Sequence, residues 1–266
     1  MSPFEPLQLL TPDYLSYYRD RQPLTIHKHI AKLRKVEPSL DYFSYLVSSS
    51  IFSSRIEGNP INLNDYYRHQ EMGLRKTKPI KEIEDLIAAY KMAKKLNLTE
   101  KNMLRIHKIL SPTILDKNPQ YQSQYRDKIA CVYNLQTGKV VYRAAHEIIV
   151  KAEMARLFSD IAFLLDQDLT HNEMFYFASQ IHLRTSEIHP FADGNGRTAR
   201  LMEKWFLSQM LGDVAWYIQS ERNYQKRLTS YYKNIHLGPD YSSLNYGDCL
   251  PFLLMLPWAL RVKSEK

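Results

Sequence analysis

Glycine and cysteine are scarce in this chain, and each scarcity excludes something. Only 8 of 266 residues are glycine, well under the typical share of about 7%, which disfavours turn-rich β architecture and favours long helices. Cysteine occurs twice, as Cys131 and Cys249, too few for a disulfide framework, so a cytoplasmic location is expected. Long apolar runs are missing too. The most apolar stretch, LPFLLMLPWAL from Leu250, is interrupted by Pro251 and Pro257 and is shorter than the ~20 residues of a membrane-spanning helix. The opening MSPFEPLQLLTPDYL carries Glu5 and Asp13 and lacks a basic segment followed by an apolar one, so no signal peptide is expected. The sequon at Asn97 carries no weight in a cytoplasmic protein.

What remains describes a helical protein with a basic surface. An apolar share of 44% is enough for a substantial core, and 266 residues suit one domain with helical extensions. Subtracting 28 acidic from 36 basic side chains leaves +8, which is compatible with nucleic acid, an acidic partner, a polyphosphate ligand or simply a well-solvated basic surface.

Proline supplies most of the punctuation, and no repeat or low-complexity tract stands out. Residues 1–40 read as an arm draped over a core. A helix is expected from about Asp41 to Glu57, stopped by Gly58-Asn59-Pro60. Lysine-rich helical text fills 62–97, and Thr99 reads as the N-cap of a helix through Leu110. KIACVYNLQTGKVVYR, from Lys128, is the one convincing β-hairpin. Between Lys151 and Asp166, Met154, Leu157, Phe158, Ile161, Leu164 and Leu165 recur at helical spacing. Thr170 and Glu173 form a capping box for a helix that must end near Ile188, because the residue before Pro190 is pushed out of helical geometry. The next helix opens near Gly194 and runs to Gly212.

The link between those last two helices, IHPFADGNGRTAR (Ile188 to Arg200), concentrates chemistry. Its middle lies at a helix N-terminus, where free amides and the positive dipole end favour anions. Asp193 reads as the N-cap, and Gly194 and Gly196 let a ligand oxygen approach the backbone. Arg197 and Arg200 stand at the wrong end of a helix for cations, so something negative should compensate them. A phosphate chain would do so, with a divalent metal joining it to Asp193. His189, just before this cradle, suits a general base. Phe191 should anchor the loop in the core.

At these residues the chain resembles the Fic family, whose signature H-P-F-x-[DE]-G-N-[GK]-R-x-x-R is matched from His189 to Arg200. The resemblance implies a mainly helical bundle with one β-hairpin flap, and transfer of AMP from ATP, with Mg²⁺, to a Ser, Thr or Tyr hydroxyl of a target protein. It makes His189 the general base, Asp193 the metal ligand, Gly194, Asn195 and Gly196 the anion cradle, Arg197 a phosphate ligand and Arg200 the clamp on the terminal phosphate, with Thr198 and Ala199 between them also counted as cofactor-binding. Leu135, Gln136, Thr137, Gly138 and Lys139 would form the tip of the target-docking flap. YRAAHEII, after the flap, lacks the paired prolines often seen there. Tyr224 stands where relatives place an aromatic near the adenine.

SSRIEGN, from Ser53 to Asn59, resembles the family's inhibitory motif [ST]-x-x-x-E-[GN] in its N-terminal placement. Ser53 and Glu57 share a helix face, so the hydroxyl can reach the carboxylate. Glu57 ends a helix, where an anion is disfavoured; pairing it with Arg200 would cure both misplacements and put a carboxylate where the γ-phosphate belongs. The resulting division is an N-terminal helical region with the inhibitory motif (1–98), a Fic core (99–232) and a C-terminal helical extension (233–266).

Other readings stay open. The same fold could remove AMP or transfer another nucleotidyl or phosphoryl group, and the charge alone would fit a non-enzymatic nucleic-acid-binding module, against which the lack of an evident helix-turn-helix counts. His182 reads as a core histidine rather than a metal ligand, and His107, His146 and His171 as surface or structural. The expected partners are ATP and a target protein, with the chain itself as one candidate and a homodimer as another.

Overall fold

The computed structural model describes residues 4–22, 24–36, 41–133 and 137–261. Twelve α-helices occur among them: α1 (Leu15–Arg21), α2 (Ile26–Val36), α3 (Tyr42–Ile56), α4 (Leu63–Glu71), α5 (Lys78–Ala93), α6 (Glu100–Leu110), α7 (Glu147–Leu165), α8 (His171–Ile188), α9 (Asn195–Leu211), α10 (Ser220–Lys226), α11 (Leu228–Ile235) and α12 (Leu250–Leu253). The only strands among the described residues, β1 (Cys131–Tyr133) and β2 (Val140–Arg143), pair antiparallel with Val132 opposite Tyr142. The mainly helical architecture with one hairpin expected from the sequence is the architecture observed.

Local chemistry explains the boundaries. Thr170 accepts from the Glu173 amide while Glu173 returns a bond to the Thr170 amide, closing the capping box that starts α8. Thr99 caps α6 through the Asn102 amide at 3.3 Å. The lysine-rich text of 62–97 divides into two helices, with Gly73 at φ 58° between them. α3 ends in a Schellman closure: Asn59 N donates to Ser54 O and Gly58 N to Arg55 O, both at 3.1 Å. That closure requires the left-handed backbone of Gly58, φ 87°.

A single apolar cluster runs from Phe4 to Ala259, with Trp205, Phe206, Phe175, Phe177 and Phe191 fully buried in it. The N-terminal arm is tied to it by Asp160, a buried carboxylate on α7 that accepts from the amides of Gln8, Leu9 and Leu10 at 2.7–2.8 Å. α8 and α9 pack side by side, and α3 meets α9 with a serine-rich face whose small side chains allow close approach. Ser49 accepts from Lys204 Nζ at 2.6 Å and Ser53 from Arg200 Nε at 2.9 Å. Both pairs are spaced i, i+4 in opposite senses, so α3 and α9 run antiparallel.

Lys204 also donates to Glu221 Oε2 at 2.6 Å, and Tyr90 OH donates to Glu221 Oε1 at 2.6 Å. All three side chains are buried, so this triad bolts α3, α5, α9 and α10 together with little screening. Removing one partner of a buried pair leaves the other charge stranded, at a cost of about 3–5 kcal/mol. Glu221→Ala should therefore lower the unfolding free energy by roughly that amount in urea titrations; a loss under about 1 kcal/mol, the size of a surface pair, would contradict the buried triad.

Candidate active site

The loop between α8 and α9 is built to hold an uncomfortable backbone. His189 closes α8 at φ 55°, ψ 59°, a left-handed conformation costly for a side chain with a Cβ. Arg126 enforces it. Its buried guanidinium donates to His189 O at 2.7 Å and Ile188 O at 3.2 Å, and also to Lys128 O and Ala145 O at the base of the hairpin; its own amide donates to Pro190 O at 2.9 Å. Asn195 staples the other end of the loop, accepting from Phe191 N at 2.7 Å and donating to Phe191 O at 2.8 Å. Phe191 is fully buried and stacks on His107, ring centroids 3.6 Å apart. Ser123 N donates to His107 Nδ1, so His107 Nε2 carries the proton given to Asp193 O at 3.0 Å. Burial pulls the His107 ring down to about 4, so it is neutral and structural.

The structure corrects the helix start. Gly194, φ 81°, occupies the N-cap position, and no side chain caps α9. Asp193 instead turns its Oδ1 to the adjacent Gly194 amide at 2.6 Å. The next amides, of Asn195, Gly196 and Arg197, have no carbonyl within the helix to accept from them. Glu57 lies over this mouth. A Cβ added to Gly196 would fall 2.3 Å from Glu57 Oε1, so only glycine admits the carboxylate there.

That carboxylate pairs with Arg200, Oε1 to Nη2 at 2.6 Å. Arg200 is fully buried, with Nη1 donating to Tyr231 OH at 3.2 Å and Nη2 also to Ser53 O at 3.0 Å. The expected bond from the Ser53 hydroxyl to Glu57 is replaced by the Arg200 Nε contact. Ser53 and Glu57 do share a face, but both are turned to Arg200: the hydroxyl accepts from Nε at 2.9 Å and the carboxylate from Nη2 at 2.6 Å. Burial alone would raise the Glu57 carboxyl, but Arg200, Arg197 and His189 outweigh it and hold it below its ordinary value.

Arg197 pairs with Glu82 of α5, Nη2 to Oε2 at 3.1 Å, while its Nε is buried without a partner among the described residues. His189 Nδ1 lies 3.3 Å from Ser186 O, a contact that favours the proton on Nδ1 and leaves Nε2 as the basic atom. Burial is the main cause holding the His189 ring below its ordinary value.

The structure thus brings His189, Asp193, Gly194, Asn195, Gly196, Arg197, Arg200, Ser53 and Glu57 to one end of α9. Thr198 and Ala199 are buried within that helix. Tyr224 does not reach the mouth: it is fully buried and donates to Glu203 Oε2 at 2.6 Å. His182, also buried, lies between Tyr231 OH at 2.9 Å and Glu203 Oε2 at 2.8 Å, a core histidine as expected. Of the flap tip, Leu135 and Gln136 lie outside the described residues; Thr137, Gly138 and Lys139 are exposed. Arg126, Glu82, Tyr231 and Glu203 escaped the sequence reading, because each acts across more than twenty residues of chain and none belongs to a local pattern.

The donor set fits a polyphosphate: uncapped amides over a glycine, two arginines, and one buried guanidinium N–H lacking an acceptor. Among the described residues no three His, Cys, Asp or Glu side chains gather. The exposed carboxylate of Asp193 is left as the kind of single ligand that magnesium combines with phosphate oxygens.

The fold is helical, with a histidine in strained backbone beside the uncapped N-terminus of α9. Residues 97–207 match the model of the Fic/DOC family, and the chain carries a Fic domain. Fic domains are typically transferases that act on proteins. A Fic family protein from Desulfovibrio desulfuricans G20 superposes with a TM-score of 0.72 at 20% identity, over 96% of this chain and 73% of that one. A Fic-domain signaling protein from Bacteroides thetaiotaomicron VPI-5482 gives 0.59 at 21% identity, over 94% and 96%. Fic-1 from C. elegans gives 0.59 at 18% identity, over 88% and 69%. These likenesses establish the fold. No curated protein matches the chain.

The Glu57 side chain is one-third exposed and ends a helix whose earlier turns are buried, so opening should be local. Amides 54–59 should exchange with deuterium faster than amides 46–52, and Glu57→Gly should speed the first group alone. Uniform acceleration along α3 would show that the helix opens as a whole.

Proposed function

We propose that this protein is an autoinhibited protein adenylyltransferase, moving AMP from ATP to a Ser, Thr or Tyr hydroxyl of a target protein. One observation carries the reading: the Glu57 carboxylate sits on Arg200 over Gly196, an anion standing at the helix mouth where a terminal phosphate would be gripped. In the productive arrangement Arg200 and Arg197 hold the phosphate chain, and the α9 amides receive its oxygens. His189 Nε2 takes the proton of the attacking hydroxyl; the new O–P bond forms at the α-phosphorus as the bond to pyrophosphate breaks. Magnesium, held by Asp193 and phosphate oxygens, would neutralise charge on the leaving group. The short hairpin, with Tyr133 and Val140 exposed, suits alignment of a target segment by strand addition.

With Arg200 engaged by Glu57, ATP binds without its terminal phosphate gripped, and transfer is suppressed. Glu57→Gly incubated with MgATP should modify itself or a target, detected as AMP mass increments, at least about tenfold faster than the unaltered chain, equivalent to ~1.4 kcal/mol of competition. His189→Ala on that background should abolish the increments. Equal rates with and without Glu57 would remove the inhibitory role, and transfer surviving His189→Ala would remove the base.

The pH profile follows from the sign of the His189 shift. A base works unprotonated, and burial lowers its protonation below the ordinary imidazole value of about 6.5. Glu57 raises this pKa, so its removal moves the ring lower still. The acid limb of kcat/KM for Glu57→Gly should therefore fall below pH ~6.5; a limb above that value would count against His189 as the base.

A further inference from the structure

We propose that Glu82 is a second blocking acid, which holds Arg197 as Glu57 holds Arg200. The inference rests on the polyphosphate reading of the α9 mouth. Glu82 lies at the start of α5 in KEIED, and its neighbours are engaged elsewhere: Glu84 with Lys76 and Gln70, Asp85 with the Thr113 amide. Glu82 alone of the three turns to the cradle, with its side chain 17% exposed against 7% for Arg197. Two cations meet two carboxylates, so this state has little net charge with which to attract a phosphate chain.

The two acids are also joined. Asn59, two residues beyond Glu57, donates its amide to Glu82 Oε2 at 3.3 Å and to Pro79 O at 2.9 Å, and accepts from Ile61 N at 3.1 Å. Asn59 N is itself the Schellman donor to Ser54 O. Withdrawal of the α3 terminus around Gly58 thus removes Glu57 from Arg200 and Asn59 from Glu82 in one motion, loosening both acids. A glutamate kept only to orient Arg197 would not need its link to the inhibitory turn. Glu57→Gly alone leaves Arg197 engaged, so full access to both arginines requires both acids to yield.

Calorimetric titration of inorganic tripolyphosphate and of MgATP into the unaltered chain, Glu57→Gly, Glu82→Gln and the double variant tests this. Glutamine keeps an acceptor for Asn59, and thermal unfolding checks that each variant folds. The double variant should bind both ligands about tenfold more tightly than Glu57→Gly, and in transfer assays KM for ATP should fall while kcat changes less than about twofold. Unchanged or weakened binding on adding Glu82→Gln would overturn the proposal and make Glu82 an orienting partner. Tighter tripolyphosphate binding without AMP transfer in any variant would sink the adenylyltransferase reading and leave the second acid standing. Failure of every variant to bind polyphosphate would end both.

Discussion

The rest of the structure depends on one buried cation. Arg200 is sealed in the core, where an unpaired guanidinium would cost several kcal/mol. Its donors are met by Ser53, Tyr231 and Glu57, and only the last is an anion. The helical core therefore cannot present this arginine at the α9 mouth without a negative group at its outer end. In the proposed function a phosphate oxygen would meet the same need as the carboxylate from α3, so the two would compete for this one guanidinium.

Behind Arg200 the polarity continues inward in a fixed order. Tyr231 accepts from Arg200, so its own proton faces His182 Nε2, and His182 Nδ1–H then faces Glu203, which also accepts from Tyr224. Each hydroxyl and ring has one orientation that satisfies its neighbour, and the chain fixes the angle at which the guanidinium emerges. Tyr224 belongs to this support rather than to a ligand surface. An aromatic seen in isolation reads as a stacking platform, whereas its hydroxyl is already committed to a buried carboxylate.

Much of the fold was legible because local rules set its boundaries. The capping box at Thr170, the Gly58 stop and the β-branched and aromatic flanks of the hairpin each rest on residues close in sequence, and each appears as read. The cluster from His189 to Arg200 was legible for the opposite reason: its arginines break a local rule, and such violations mark places where something distant compensates. What could not be read was the compensation. Glu82 is one acid among three in its turn, Arg126 one cation among 36, and nothing nearby distinguishes them. Ser53 illustrates the limit: its spacing puts it on one face with Glu57, but a guanidinium 147 residues away takes up both the hydroxyl and the carboxylate.

The antiparallel contact between α3 and α9 determines how such a site can open. At one end Lys204 is locked to Ser49, Glu221 and, through that carboxylate, Tyr90, all buried. At the other, Glu57 is partly exposed and follows the last helical turn. Rupture of the buried end strands charges in the core at about 3–5 kcal/mol, whereas a carboxylate at the water-facing end can be rehydrated as it leaves. Serine at both contact points keeps the helices close without interlocking bulk. The left-handed Gly58 supplies a joint where the chain turns away. In the proposed opening, displacement would be confined to the final turn and the Gly58-Asn59 step, with the remainder of α3 kept as part of the wall against which Arg200 is held.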